Sequence, residues 1–486
     1  MSNTLMVGVS GIRGIVGTDL TPENVARYAA AFGLWASSAK REPGAGSRTL
    51  RPKVVLGRDA RTSGPMLQAA AAAGLQSVGV DIVDIGLTTT PTIQLAVEHH
   101  RARGGIILTA SHNPIEWNAL KFVGADGIFL DTADGAQVRE LAAQESLPRA
   151  DWSGIGRVSE DDAAVTRHLD AILKLKAIDV RAIRRRKFRV ALDCVRGAGG
   201  AIMPALLERL GCRVVAINLE TDGRFPRAPE PIPANLGALG RLVRSRKADV
   251  GMAVDPDVDR LAVVDEKGRA IGEDYTLAFA VRAVLGSGKR EAGRGKRGPV
   301  VVNLSTSLVV DDAARDAGFD VMRAPVGEAH VARMILGTRS PIGGEGNGGV
   351  MYPALHAGRD APLAAAMVLA LLARVGRPVS DIVDAHPKYV IVKGKVPRGA
   401  ALDRVYQALR GRFGDADVNT DDGLRLAWSD RWLHVRPSNT EPIIRLIAEA
   451  PTGAAAEHLV EEGRQVCAAS LGMWDRGPVC RWCSRA

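Results

Sequence analysis

The chain has 486 residues, 46% hydrophobic and 24% charged, a globular composition too long for one hydrophobic core and suited to three or four domains of roughly 150 residues each. A formal charge of +10, from 64 Lys plus Arg against 54 Asp plus Glu, favours anionic small molecules. No segment has the length of a membrane span, the N-terminus MSNTLMVGVSG lacks the basic and apolar regions of a signal peptide, and five cysteines are too few for a disulfide framework, so a cytoplasmic protein is expected.

Apolar runs of strand length alternate with segments of helical period, the pattern of α/β layers. TPENVARYAAAFGLW opens with Thr21 as N-cap and Pro22 in the first turn, and places Val25, Tyr28, Ala29 and Phe32 on one helical face. The strand KVVLG, a helix from near Ser63, VDIVDIG and GGIILT follow, the last ending at the loop TASHNP. This first α/β unit is expected over residues 1–157. A second, over 158–271, runs through FRVALD, CRVVAINL and ADVGMAVD; a third, over 272–386, through VVVNL, FDVMRAP and a Gly-rich loop to the helix APLAAAMVLALLARVG. Residues 387–486 read differently, as an α+β unit whose antiparallel sheet includes the hairpin LRLAWSDRWLHVRPS. The basic runs Arg184 to Lys187 and Lys289 to Arg297 carry no interleaved aromatics; they read as solvated loops, and no nucleic acid is expected. Cys480 and Cys483 lack a second ligand pair nearby and read as part of a frayed tail.

Four polar segments lie in the connections after strands, where open α/β sheets bind ligands. In DPDVDR, residues 255 to 260, Asp255, Asp257 and Asp259 alternate and can point one way from an extended backbone, a hard oxygen site suited to Mg²⁺. An EF-hand fails because Arg260 replaces the turn glycine and both flanks read as strands; a haloacid-dehalogenase-type phosphatase motif wants Thr or Val where Asp259 stands. Ser111 lacks the flanking glycines of a hydrolase elbow. As a phosphoserine it would bring close to two negative charges and three acceptor oxygens, one able to complete a Mg²⁺ shell. GGEGNGG, 343 to 349, allows close backbone approach and offers one acid, Glu345, and one amide, Asn347, to adjacent hydroxyls, and it lacks the Lys of a P-loop. In RPSNTEPIIR, Arg436, Ser438, Asn439 and Thr440, with Arg445 on the next strand, can clamp one phosphate.

These segments in this order, with GVSGIRGIVG near the N-terminus and GRDART at 57 to 62, resemble the α-D-phosphohexomutase family over essentially the whole chain, the stretch after Leu471 being extra. The resemblance implies four domains around a central cleft, three of related α/β topology with mixed sheets between helices, and a fourth of α+β type. It implies that Ser111 carries the phosphoryl group and completes the Mg²⁺ shell with Asp255, Asp257 and Asp259; that Arg260 contacts the phosphoserine; and that Arg13, His112 and Lys121 line the reacting centre. Glu345 with Asn347 would contact the sugar, Glu345 bridging two neighbouring hydroxyls. Arg436, Ser438, Asn439, Thr440 and Arg445 would hold the non-reacting phosphate.

The implied reaction interconverts hexose 6-phosphate and hexose 1-phosphate through a sugar bisphosphate that also serves as activator, in a monomer or homodimer. Departures from the family pattern are Asn347 where many members have Ser, Gly349 where many have His, and Glu328 where some have His. The GEGNGG and RPSNTEP variants resemble the archaeal-type branch. Glu328, as a negative group near an amino sugar, points to phosphoglucosamine mutase; phosphomannomutase or phosphoglucomutase is the alternative. From other classes, a non-catalytic sugar-phosphate binder or a Mg²⁺-dependent phosphatase would lack a retained phosphoryl group.

Overall fold

The computed structural model describes residues 5–8, 11–38, 51–286, 298–399, 402–438 and 442–470. Four sheets follow one another along the chain. The first has seven strands. Its inner strands Lys53–Arg58, Asp81–Leu87 and Gly104–Leu108 run parallel, while Trp117–Gly124 and Gly11–Ile15 continue it antiparallel. Gly104–Leu108 is buried at every position, as expected for a strand covered on both faces. One boundary differs from the sequence reading. Val158–Glu160 pairs in parallel with Asp81–Leu87 through Ile82 and Val158, so this strand belongs to the first sheet instead of opening the second unit.

The second sheet places Arg189–Asp193 between Val250–Val254 and Arg213–Ile217, all parallel, with Leu261–Val264 antiparallel at its edge. In the third, Val300–Asn303 runs parallel to Val321–Ala324 and Gly343–Glu345, and two antiparallel strands, Gly349–Tyr352 and His356–Arg359, extend it. These mixed sheets, with helices packed on them, are the expected α/β class. Between the second and third sheets the helix Ala361–Val375, buried over its first twelve residues, joins their interiors into one apolar core. Asp360 caps that helix by accepting from the Leu363 amide, and Pro362 sits where a missing N–H costs nothing.

The fourth sheet is wholly antiparallel, ordered Val390–Pro397, Ile443–Ala450, Trp432–Pro437, Leu424–Ala427, Asp417–Asn419. Its period-two pattern is clear. Ile444, Leu446, Ala448, Leu433 and Val435 join the core beneath the helices Leu402–Arg412 and Gly453–Ser470, while Arg445, Glu449, His434 and Arg436 occupy the opposite face. The basic run Arg184 to Lys187 is not a loop as expected: Arg184, Arg185 and Arg186 form the last turn of the helix Val180–Arg186, where cations complement the helix dipole. Lys289 to Arg297, Cys480 and Cys483 lie outside the described residues. No helix among the described residues is long and apolar enough to cross a membrane.

Candidate active site

A cavity of about 950 Å³ lies where the four units meet, lined by His112 from the first, Arg260 from the second, Asn303 and Asn347 from the third, and Arg436 and Arg445 from the fourth. Ser111 stands at the end of the strand Gly104–Leu108 with φ +48°, a left-handed turn uncommon for a non-glycine residue. Arg61 holds that turn. Fully buried, its two terminal nitrogens donate to the carbonyls of Ser111 (2.7 Å), Asn113 (2.7 Å), Pro114 (2.7 Å) and Trp117 (2.8 Å), and its Nε faces Asp59 at 3.2 Å.

The Ser111 hydroxyl donates to Asp255 Oδ2 at 2.8 Å, across 144 residues of chain. Asp255, Asp257 and Asp259 are buried, with ligand oxygens all within 4.8 Å of one another. They hang on the turn between Val250–Val254 and Leu261–Val264, where Val258 takes φ +62°. A β-branched residue in that region is strained, and Val258 is held by hydrogen bonds from its amide to Asp255 O and from Ala361 N to its carbonyl.

The donor set fits a hard divalent cation. Asp257 Oδ2 is taken by Thr90 Oγ1 (2.8 Å) and Lys121 Nζ (2.9 Å), and Asp259 Oδ2 by Arg359, while Asp257 Oδ1 and Asp259 Oδ1 are buried without a hydrogen-bond partner. Arg260 Nε stands 3.7 Å from Asp259 Oδ1, too long for a hydrogen bond; buried carboxylate oxygens left without one are costly, and a cation is what three converging aspartates accommodate. Burial and the neighbouring carboxylates of Asp259 and Asp257 push Asp255 well above the usual range. Asp257 also suffers from burial, but Lys121 and its hydrogen bonds outweigh this and hold it below that range.

Around the hydroxyl lie the predicted cations. Gly11 pairs with Lys121 and Arg13 with Ala119 in one antiparallel ladder, so Arg13 and Lys121 project from the same face two positions apart. Arg13 donates to Asn113 Oδ1 at 2.7 Å. His112 Nδ1 is 3.3 Å from Ser111 Oγ; burial, then Arg260 and Arg13, depress its pKa far below the ordinary value, so the ring is neutral. Arg260 sits in the cleft wall, its Nη1 3.5 Å from Glu230 and its amide donating to Asp255 Oδ1 at 3.2 Å.

The Gly-rich loop is arranged less simply than its sequence suggests. Asn347 lines the cavity, but Glu345 is only 3% exposed. Its Oε1 accepts from Asn303 (3.0 Å) and the Gly327 amide (3.2 Å), and its Oε2 from Arg359 (2.8 Å) and Asn347 (3.4 Å). A carboxylate has about four acceptor positions, so one of these donors must yield before Glu345 bridges sugar hydroxyls. Glu328 corrects the sequence reading. Its carboxylate is buried and accepts from Gln94 Nε2 (3.0 Å), Arg359 Nε (3.0 Å) and the Arg359 amide (3.3 Å), so it is taken up by partners inside the protein and does not line the cleft. The acidic side chains along the cleft are instead Glu230, Glu273, Asp274 and Glu449.

At the far wall, Arg436 and Arg445 are register partners on adjacent strands, and Lys395 pairs with Arg445, making a row of three cations. Arg436 is held by Asp422 at 3.2 Å. Ser438 is buried, its amide donating to Ile443 O at 2.9 Å. Asn439 and Thr440 lie outside the described residues. Sequence reasoning missed Arg359, Lys395 and Thr90 and assigned no role to Arg61; GRDART was the one signal for Arg61, and nothing local marks the others.

A hydroxyl against a buried carboxylate cluster, ringed by cations and separated by a polar cleft from a second cationic row, defines a phosphoryl-transfer site. Residues 4–149, 166–268 and 273–390 match the descriptions "Phosphoglucomutase/phosphomannomutase, alpha/beta/alpha domain" I, II and III, and residues 391–466 match the C-terminal domain. The chain is 39% identical to a phosphoglucomutase/phosphomannomutase of Thermococcus kodakarensis, over 94% of this chain and 97% of the relative. It is 37% identical to a "Probable phosphoglucosamine mutase" of Methanopyrus kandleri, over 94% and 96%. Among solved structures, a phosphoglucomutase/phosphomannomutase family protein from Burkholderia thailandensis superposes with a TM-score of 0.81 at 26% identity, covering 97% of this chain and 98% of that one. The chain belongs to the phosphoglucomutase/phosphomannomutase family, the phosphohexomutases, isomerases that move a phosphoryl group within one sugar phosphate.

Proposed function

We propose that this mutase passes a phosphoryl group from Ser111 to the free hydroxyl of a bound hexose monophosphate, holds the resulting bisphosphate while it turns over in the cleft, and takes the other phosphate back onto Ser111. The observation that carries this reading is the 2.8 Å contact of the Ser111 hydroxyl with Asp255 beside His112 and Arg260, which line a cavity that Arg436 and Arg445 also line. Asp255, Asp257 and Asp259 would hold Mg²⁺, which when bound supplies Lewis-acid polarisation of a phosphoryl oxygen.

The protein's own side chains do the rest. Arg13, Lys121 and Arg260 offset charge on the transferring group. His112, 3.3 Å from the serine oxygen, can accept or return the proton of the attacking hydroxyl once the negative charge of a phosphoryl group beside it offsets the depression that burial, Arg260 and Arg13 impose on its ring. Arg436, Arg445 and Ser438, with Asn439 and Thr440, clamp the phosphate that does not react, so binding energy distant from the reacting centre goes into positioning. A sugar bisphosphate is the activator that loads Ser111.

The preferred sugar is glucosamine phosphate. The archaeal relatives named as phosphoglucosamine mutases support this choice, as do Glu230 and Glu273 along the cleft, which can face an ammonium group where Glu328 cannot. Turnover with glucosamine, mannose and glucose phosphates tests it: the highest kcat/KM is expected for glucosamine phosphate, and a strong preference for mannose phosphate would overturn it.

A further inference from the structure

Arg359 is a buried guanidinium, 8% exposed, that no step of the proposed reaction uses. Each of its nitrogens is committed. Nη2 donates to Asp259, Nη1 to Glu345 (2.8 Å) and Nε to Glu328 (3.0 Å). Attraction to these three carboxylates outweighs burial and holds its pKa well above the ordinary value.

Two features fix the arm in place. A Cβ at Gly349 would lie 2.3 Å from Arg359 Cδ and 2.9 Å from its Cγ, so the sugar loop is pared to glycine where the aliphatic stem crosses it. The next residue, Asp360, caps the helix Ala361–Val375 and accepts from buried His168 (2.8 Å) and His356 (3.1 Å). Arg359 therefore has little freedom to swing, and Asp259 Oδ1 is left buried without a hydrogen bond, 3.7 Å from Arg260 Nε.

We infer that Arg359 is a positioning residue that couples the carboxylate seat of the cation to the sugar loop, through Asp259 on one side and Glu345 on the other. The inference rests on the proposed function for the meaning of the two ends, and its physical content is a shared charge. One guanidinium hydrogen-bonds three carboxylates at once, so where it sits is a compromise among their pulls in a low-dielectric interior. Neutralising Glu345 weakens one of the three anchors, lets the guanidinium settle closer on Asp259 and so weakens cation binding there; by linkage, cation binding at Asp259 alters how tightly Glu345 is held.

The test is a double-mutant cycle read by Mn²⁺ binding to the full-length, chelator-stripped protein in a calorimeter, with no turnover involved. Glu345→Gln is expected to weaken Mn²⁺ binding by about fivefold when Arg359 is present and by less than about twofold in the Arg359→Met background. Arg359→Lys keeps a charge but reaches one carboxylate at a time, so it also loses the coupling and serves if Arg359→Met does not fold. Gly349→Ala, which displaces the arm without removing it, should shrink the effect of Glu345→Gln toward that seen without Arg359, and an undiminished effect in that background would overturn the inference. An equal effect of Glu345→Gln with and without Arg359, no effect at all, or no Mn²⁺ binding by the unaltered protein would overturn the inference. A protein that shows the coupling yet does not isomerise hexose phosphates would reject the proposed function and leave this inference standing.

Discussion

Replacing Arg61 with lysine should unseat the Ser111 turn while leaving a cation in the same place. The guanidinium spans four carbonyls with two nitrogens and meets Asp59 with a third. An ammonium on a shorter, unforked stem has three donors and serves three of these five acceptors at most. Two buried carbonyls then lose charge-assisted donors, at about 2 kcal/mol each, or about 4 kcal/mol of local stability. That is on the order of a thousandfold more opening of the turn, since every 1.4 kcal/mol is tenfold. Hydrogen exchange of the amides in 109–120 reads this directly, and kcat/KM on hexose phosphate reads its consequence, with a fall of about a hundredfold or more expected as Ser111 loses its left-handed conformation. Exchange protection and kcat/KM both within threefold of the unaltered protein would refute the reasoning.

Gly197 backs onto the aspartate loop: an added Cβ would sit 2.6 Å from Pro256 Cα and 2.8 Å from its carbonyl oxygen. Gly197→Ala should raise the Mg²⁺ concentration for half-maximal activity by about tenfold while circular dichroism stays unchanged. Chelation should abolish turnover and Mg²⁺ restore it, as the two open oxygens of Asp257 and Asp259 require; full activity after exhaustive chelation would contradict the site. His434 lies between Ser305 Oγ (2.8 Å) and the Asp422 carbonyl (2.7 Å) where the fourth unit docks on the third, and burial lowers its pKa from 6.5 to about 4. Since the released ring binds a proton in that window and the docked ring does not, docking should weaken as pH falls from 6.5 toward 4. Scattering or exchange across that range checks this, and His434→Gln should flatten the response.

Much of the fold was legible because burial imprints local periods: the all-apolar run GGIIL could be read as an inner strand, and the alternation in PIIRLIAEA as a half-covered antiparallel one. The aspartates were legible because alternate residues on one turn share a side. What failed was long-range. Val158–Glu160 is exposed at all three positions and holds a single apolar residue, so its pairing with Asp81–Leu87 could not be seen. Glu328 looked available because its partner Arg359 lies 31 residues away and faces it only after the strand His356–Arg359 joins the sheet edge. The burial of Glu345 has the same origin, since three of its donors, Asn303, Gly327 and Arg359, come from separate parts of the third unit.

The claim on which the rest depends is that Ser111 is charged and discharged within each cycle. Intact-protein mass spectrometry with peptide mapping, before and after incubation with a hexose bisphosphate and then with excess hexose monophosphate, tests it most directly. One phosphoryl group should appear on Ser111, pass to the monophosphate on a timescale no slower than kcat, and be absent, together with isomerisation, in a folded Ser111→Ala protein. Isomerisation that continues in Ser111→Ala, or a phosphoryl group retained at any other residue, would contradict the account.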